Sequence, residues 1–469
     1  MSVFNQQIKK GLLAVGILTV LLLVGCSQKA PTIEQRAAQI KAQIQLPEIP
    51  NNRISILELG AVDNKNYDSS EAIHAAISTL TELGGGTVVI PQGTFLTGPI
   101  HLESNIELHL EAGARLLFKT DLEAYLPAVH TSYEGIEIMN YSPLIYAKNK
   151  TNIAITGSGI LDGQAGVEHW WPWSGKSEYG YKEGDPKQGD PNTIPRQHQI
   201  NIDQPPIEER LFGKDHYFRP QFFQPFMCSN VLVQGVTFVN APFWIIHPLK
   251  STNVTIDRVT VSSHGPNNDG CNPEYSKNVQ ILGCVFDTGD DCIAIKSGRN
   301  QDGRRVNIPS ENIVVEDCKM KDGHGGVVMG SEISAGVRNV VVLNCAMDSP
   351  NLDRAIRIKT NTLRGGFVDG LYVKNVTVGQ VKEAVLKINT FYGIYGTQEG
   401  EFIPKIQNIY FNNVVAENGG KYGILIKGRP EAKIKNIYFD NVVIKSSTKA
   451  PVVEHAEPLN LTNSSIAKF

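Results

Sequence analysis

The body of the chain is built from short segments in which apolar and polar positions alternate. Asn230, Asn253, Asn278, Asn312, Asn339, Asn408 and Asn436 each open one such segment. One position on stand Val231, Val254, Val279, Ile313, Val340, Ile409 and Ile437; three on, Val233, Ile256, Ile281, Val315, Val342, Phe411 and Phe439. Six on stand Val236, Val259, Cys284, Cys318, Cys345, Val414 and Val442. Gly370 opens a further copy with Leu371, Val373 and Val376, and Asn152 opens a weaker one. A period of two predicts strands, and recurrence about every 23 to 38 residues predicts a solenoid. A horseshoe would want a leucine framework and a propeller would want hairpin turns, so the prediction is a parallel β-helix, each coil stacked on the last. The asparagine fits a turn whose side-chain amide bonds its own backbone. The Cys284, Cys318 and Cys345 column reads as small core hydrophobes; no Cys-x-x-Cys pair or partnering histidine suggests a metal.

A second strand recurs later in each coil: Ile293-Ala294-Ile295-Lys296, Val327-Val328-Met329-Gly330, Ile356-Arg357-Ile358-Lys359, Leu386-Lys387-Ile388-Asn389 and Ile424-Leu425-Ile426-Lys427. Its first and third positions are predicted to face the core, its second and fourth to face out. Ahead of the coils, Ile73, Ala76, Ile77 and Leu80 share one face of a predicted helix, which Asp68 or Ser69 can cap and Gly84-Gly85-Gly86 ends. Such a helix would plug the open end of the stack and cover its unpaired edges. Residues 160–225, with Trp170, Trp171, Trp173, Tyr179 and Tyr181, break the repeat and are predicted as a long loop excursion. The division is therefore an all-β domain over 51–445 with an N-terminal capping helix, a tether over 27–50 and a polar C-terminal tail over 446–469.

Composition narrows the field. Of 469 residues, 41% are hydrophobic, enough for a large core, and 44 Lys plus Arg against 47 Asp plus Glu give a net charge of −3. Wholesale disorder and a strongly basic nucleic-acid-binding surface are excluded, and no nucleic acid partner is expected. Seven cysteines in so long a chain are too sparse for a disulfide scaffold. Lys9 and Lys10 precede an apolar run, Gly11 to Val24, that ends Leu23-Val24-Gly25-Cys26. This resembles a bacterial lipoprotein signal over residues 1–26, cleaved before Cys26, whose thiol would carry the lipid. Ser27 and Gln28 follow, with no Asp, which points to an outer membrane without choosing its face. The other reading of this run is an uncleaved anchor helix.

Candidate chemistry lies in the turns before the second strand. Asp290 stands three residues before Ile293 with Asp291 beside it, His324 stands three before Val327, and Asn268-Asp269-Gly270 occupies the corresponding turn one coil earlier. Parallel neighbours lie about 4.8 Å apart, so Asp269, Asp290, Asp291 and His324 are predicted to gather in one patch. Arg357 and Lys359, at outward positions one coil further, add two cations. Carboxylates so crowded cannot all ionise freely, so at least one should hold its proton. A protonated carboxyl that donates, beside an ionised one that draws a proton from water, is what glycoside hydrolysis needs. Arg and Lys suit a substrate that itself bears carboxylates. Each turn tripeptide alone is ordinary turn chemistry; the inference rests on their common register.

These motifs together, Asn267-Asn268-Asp269-Gly270, Gly289-Asp290-Asp291, Gly323-His324-Gly325 and Arg357-Ile358-Lys359, resemble glycoside hydrolase family 28, the polygalacturonases and their relatives. The likeness covers about residues 55–445. It implies a right-handed parallel β-helix and an inverting hydrolase of galacturonan-type pectin, with no metal or other cofactor and with pectic polysaccharide or oligogalacturonides as its partner. It implies Asp290 as general acid, Asp269 and Asp291 as the carboxylates that activate water, and His324 as a tuner of the cluster's protonation. Arg357 and Lys359 would grip substrate carboxylates. The family often has an acid where this chain has Asn272. Gly325–Glu332 and Pro242-Phe243-Trp244 resemble bacterial exo-acting members, which favours release from chain ends. Arg299 and Arg304 are then candidates for binding a terminal sugar acid, and Tyr392 for contacting a sugar ring. The competing readings are a pectate-lyase-type eliminase, which would need calcium-binding carboxylates and an Arg base, and a non-catalytic carbohydrate-binding β-helix.

Overall fold

A computed structural model describes residues 30–393 and 399–468. The predicted columns are its skeleton. Val231, Val254, Val279, Ile313, Val340, Leu371, Ile409 and Ile437 pair in parallel, coil to coil, without a slip. The second column pairs Ile293, Val327, Ile356, Leu386 and Ile424 in turn, with one register irregularity, between Ala384 and Leu386 against Gly423 and Ile424. Single bridges continue it upward through Cys271 and Ile246 to Phe223. Alternate residues face one continuous interior, which holds the aliphatic columns together with Cys284, Cys318 and Cys345. The described cysteines are all buried and unbridged.

The asparagines work differently from expectation. Each adopts a left-handed backbone, as at Asn312 with φ +58°. Their amides do not turn back on their own backbone but bond one another along the stack. Asn312 Nδ2 donates to Asn278 Oδ1 at 3.0 Å, and Asn339 Nδ2 donates to Asn312 Oδ1 at 2.7 Å. The reason is the coil spacing: a side chain repeated every coil meets its own copy before it meets any other acceptor. A second such ladder joins Asn344, Asn375, Asn413 and Asn441.

The segment expected as a tether carries a helix, α1 (Ile33–Lys41), capped by a reciprocal Thr32–Gln35 pair. Ala37 and Ile40 pack on Val314, Val341 and Leu343. Those outward strand positions are apolar and need cover, and Ile33, Ala37 and Ile40 at helical spacing supply it. The capping helix α2 (Ser70–Glu82) forms as predicted and buries Ile73, Ala76, Ile77 and Leu80. Its first turn is held by Asp68, whose carboxylate accepts from the Ser70 amide at 3.1 Å. The C-terminal tail is also structured. Val452–Glu454, Asn460–Thr462 and Ser465–Ile466 add a last, largely exposed coil against Gly423–Lys427 and Lys435–Ile444. A repeat whose last coil is polar ends the stack without offering an apolar edge. Cys26 and the rest of the signal lie outside the described residues.

The excursion leaves after Ile160–Asp162 and returns at Phe223–Phe226. It contains helix α3 (Ile194–Asp203). Ile194, Ile200, Phe212 and Phe218 share a small core with Phe243, Trp244 and an antiparallel hairpin, Val129–Tyr133 and Ile136–Asn140, which sequence reasoning missed. A further short helix, α4 (Asn300–Val306), stands in the Arg299–Pro309 loop. Arg210, wholly buried, clamps these pieces: its Nη1 donates to both carboxylate oxygens of Asp302 at 2.9 Å.

The asparagine ladder makes a stability prediction. Asn312→Gly keeps the left-handed turn but loses two amide bonds, an expected cost of about 2 kcal/mol. Asn312→Ala loses the same bonds and adds left-handed strain, about 1 kcal/mol more. Denaturant unfolding of both variants checks this; an alanine variant as stable as the glycine variant contradicts it.

Candidate active site

A cavity of about 320 Å³ opens over the second column of strands. It is lined by Asp269, Asp290, Asp291, His324, Arg357 and Lys359, with Tyr392 at its rim. The register explains the gathering. Cys271, Ile293 and Val327 pair in turn, so the residues two before them, Asp269, Asp291 and Gly325, form one row. Those three before them, Asn268, Asp290 and His324, form the adjacent row. Glycine at 325 is required by space, because a Cβ there would stand 2.5 Å from Val328 Cγ2 and 3.3 Å from Asp291 Oδ1.

The three carboxyls sit in different surroundings. Asp269 is buried; its Oδ2 accepts from Asn272 Nδ2 at 2.7 Å and faces Lys296 Nζ at 3.4 Å. Burial drives its carboxyl well above the usual carboxylate range, and the charges of Asp290 and Asp291 add to this against Lys296 and Lys359. Burial pushes Asp290 up, but His324, with Nδ1 3.0 Å from Asp290 Oδ1, together with the charges of Lys359 and Lys296, holds that carboxyl below its ordinary range. The same pairing lifts the half-exposed His324 imidazole to about 9, so it is charged at neutral pH. Asp291 Oδ2 takes Lys359 Nζ at 2.7 Å, and Arg357 lies 3.6 Å from Oδ1. The Asp291 carboxylate holds the Lys359 ammonium above its ordinary value despite burial. In the free protein burial therefore favours the protonated form of Asp269, while His324 is charged beside an ionised Asp290.

Sequence reasoning missed several residues here. Lys296 occupies the outward fourth position of its strand, the position that Lys359 holds two coils on, so the signal was present. Gly330 stands between them in register, and a Cβ there would lie 2.0 Å from the Lys359 carbonyl oxygen. The Lys296 ammonium also meets Glu332 Oε2 at 3.1 Å and lies 4.4 Å above the Trp244 ring. Glu134, Lys176 and Gln188, from the hairpin and the excursion, complete the lining. Long-range contacts of this kind leave no periodic trace.

The hairpin and excursion are fixed beside the cavity on two flanks. The Gly135 carbonyl accepts from the Arg299 amide at 2.9 Å on one flank. Tyr133 stacks on Phe243 at 4.3 Å and its hydroxyl reaches Gln188 at 2.8 Å on the other. Arg219, fully buried, ties that flank to the catalytic turn by donating to Gln188 Oε1 at 3.0 Å and Asn267 Oδ1 at 2.8 Å.

Two expected binding residues do not line this cavity. Arg299 spends its guanidinium on Glu134, Nη1 to Oε2 at 2.7 Å, and so supports the wall from behind. Arg304 lies 3.6 Å over the Phe402 ring and donates to the carbonyls of Leu363 and Arg364. Both border a neighbouring cavity of about 320 Å³. Tyr392 is where the prediction put it, its ring 5.5 Å from Arg357 and 5.4 Å from Lys359. Among the described residues, His264, Asp287 and Asp322 bring possible metal-ligand atoms within 4.8 Å of one another, but outside this cavity.

The model of the family described as "Glycosyl hydrolases family 28" matches residues 212–463. An exopolygalacturonase structure from Thermotoga maritima is 43% identical, with a TM-score of 0.88, covering 92% of this chain and 97% of that one. A "Probable polygalacturonase" from Vitis vinifera is 29% identical over 78% of this chain and 68% of its own length. An "Exo-poly-alpha-D-galacturonosidase" from Dickeya chrysanthemi is 28% identical; the match covers 73% of this chain but 58% of that protein. With the strand register, the cluster of carboxyls and these likenesses in agreement, the chain belongs to glycosyl hydrolases family 28 and is a glycoside hydrolase.

Proposed function

We propose that the protein is an inverting hydrolase of the α-1,4-galacturonosyl linkages of pectin, acting from chain ends, and held at a bacterial outer membrane through a lipid on Cys26. The observation that carries the reading is the cavity itself: three carboxyls and an imidazolium beside Arg357 and Lys359. Two cations at the floor favour a sugar that carries a carboxylate.

In this reading Asp290 and His324 hold one proton between them. The imidazolium stores it at rest, and Asp290 passes it to the glycosidic oxygen as the bond to the anomeric carbon breaks. Water attacks that carbon from the opposite face and gives its proton to Asp269 or Asp291, so the configuration inverts. Asp291 stands beside two cations, whereas burial disfavours the ionised form of Asp269. The cluster titrates as a unit. Lys359 and Arg357 bind the substrate carboxylate, and Tyr392 offers a ring face beside them.

Chain-end action is supported by the hairpin and excursion residues Glu134, Lys176 and Gln188 in the cavity lining and by the likeness to the Thermotoga exopolygalacturonase. The lipid anchor rests on the Leu23-Val24-Gly25-Cys26 run alone.

Separate measurements test each of these points. Polygalacturonate without added metal should yield new reducing ends, with one mono- or disaccharide as the early product and the inverted anomer first seen by proton NMR. No new reducing ends removes the hydrolase reading, a ladder removes chain-end action, and the retained anomer removes inversion. Asp290→Asn should lower kcat about a thousandfold with KM little changed. The His324 imidazole should titrate near pH 9 and fall back toward 6.5 in Asp290→Asn. Because it is charged below that value, kcat/KM should decline as pH rises through about 9. Cys26→Ser should move the expressed protein from the detergent phase to the aqueous phase of a detergent partition.

A further inference from the structure

Lys296 stands between two carboxylates, largely buried at the wall of the cavity. Its Nζ lies 3.1 Å from Glu332 Oε2 and 3.4 Å from Asp269 Oδ2, and the Trp244 ring covers it at 4.4 Å. All three ion-pairing side chains are a tenth exposed or less. Glu332 is itself well provided: its Oε1 accepts from Ser331 Oγ at 2.6 Å and faces Arg364 at 4.0 Å. It does not need the whole of Lys296. Asp269 has one neutral donor, Asn272, and otherwise faces Asp290, Asp291 and, further off, Lys359. One ammonium is thus shared between a carboxylate that takes no part in the reaction and one that does.

We propose that Lys296 and Glu332 form a positioning pair that sets how readily Asp269 ionises, Lys296 by stabilising its carboxylate and Glu332 by holding back part of that stabilisation. The inference deepens the proposed reaction and rests on that reading for its catalytic meaning. The contacts from Lys296 and Asn272 both fall on Oδ2, which leaves Oδ1 of Asp269 to take the proton of the attacking water. No side chain stands at 330, in register with Lys359, because a Cβ there would lie 2.0 Å from the Lys359 carbonyl oxygen. A buried cation wholly owned by one carboxylate would lock the base in its ionised form. Divided, it leaves Asp269 able to hold a proton and to release it within the working range. The charged groups that bear on the pair are Arg299 and Arg364 on Glu332's side and Asp290, Asp291 and Lys359 on the side of Asp269. None of these changes in the variants below.

The test is the titration of the Asp269 carboxyl, followed by carbon-13 NMR in protein labelled at aspartate and assigned by the signal missing in Asp269→Asn. Glu332→Gln, nearly isosteric, gives Lys296 over to Asp269 and should lower the midpoint by about one pH unit. Lys296→Met removes the cation and should raise it by a similar amount, with the double variant between the two. The acid limb of kcat/KM on oligogalacturonate should follow the midpoint in each case. A midpoint that stays fixed, or moves the same way in both variants, overturns the proposal, as does a lower rate with an unmoved limb. If Lys296→Met does not fold, Glu332→Gln decides alone by the direction of its shift. The NMR titration needs no turnover, so a protein that cleaves no galacturonan would overturn the proposed function while this measurement still stood.

Discussion

Parallel backbone pairing between successive coils is the constraint on which the rest of this molecule depends. Side chains on a strand alternate faces, so a slip of one residue between coils would turn each interior aliphatic outward. The same slip would move Asp269 out of the row it shares with Asp291. The core and the site are therefore fixed by one register. The columns of Val, Ile and Cys hold it from inside, and the two asparagine ladders hold it at the corners. Nothing in the catalytic turns has to find its partners independently. They are delivered at coil spacing by pairing that the interior has already paid for.

Delivery at that spacing creates the electrical problem that the site then solves. Three carboxyls in adjacent rows repel, and the structure answers with four cations in distinct places. His324 is given to Asp290, Lys359 and Arg357 to Asp291, and Lys296 is split between Asp269 and Glu332. The outcome is three chemically different acids built from one residue type. The distribution of protons in the free protein also qualifies the roles the family likeness implies. Asp290 cannot be the stored acid at rest, because the imidazolium beside it keeps it ionised. Donor action at Asp290 requires the His324 proton to cross a 3.0 Å hydrogen bond when the leaving oxygen arrives.

What the sequence made legible follows from what repeats. The columns at Val231 to Ile437 and Ile293 to Ile424 could be aligned because burial imposes the same residue type on each coil, and the rows of Asp269, Asp290, Asp291 and His324 came with them. The asparagines were found for the same reason, although their bonding was misread: in a single unit an amide sees only its own turn, and the ladder exists only in the stack. Of the elements that occur once, the capping helix α2 was read from its periodicity, and others were not. The Gln and Ala content of residues 27–50 disguised the amphipathic spacing of Ile33, Ala37 and Ile40. Arg299 and Arg304 were judged by charge, yet each finds a protein partner that composition cannot reveal: Glu134 for one, Phe402 and two carbonyls for the other. Lys296 was visible at an outward strand position; its meaning depended on Glu332, thirty-six residues away in the chain.

The non-repeating pieces matter because a repeat alone cannot make a pocket. Coils of one shape produce a groove that continues past any given coil, open in both directions, and a polymer could lie in it anywhere along its length. Discriminating a chain end requires something that stops the groove, and that something must come from outside the repeat. The pieces outside the repeat that reach this cavity are the hairpin and the excursion, and their attachment is costly in polar groups. Arg219 and Arg210 are both wholly buried, and the terminal nitrogens of each donate to carboxylate, amide or carbonyl oxygens of the other parts. Buried guanidinium groups add little net stability compared with apolar packing, but their fixed donor geometry admits few alternative arrangements. Arg219 holds Gln188 on the excursion and Asn267 at the head of the Asp269 turn in a single fork. The wall that would measure the chain end and the carboxyl that would activate water are thereby held at a fixed offset, so a sugar seated against one is presented to the other.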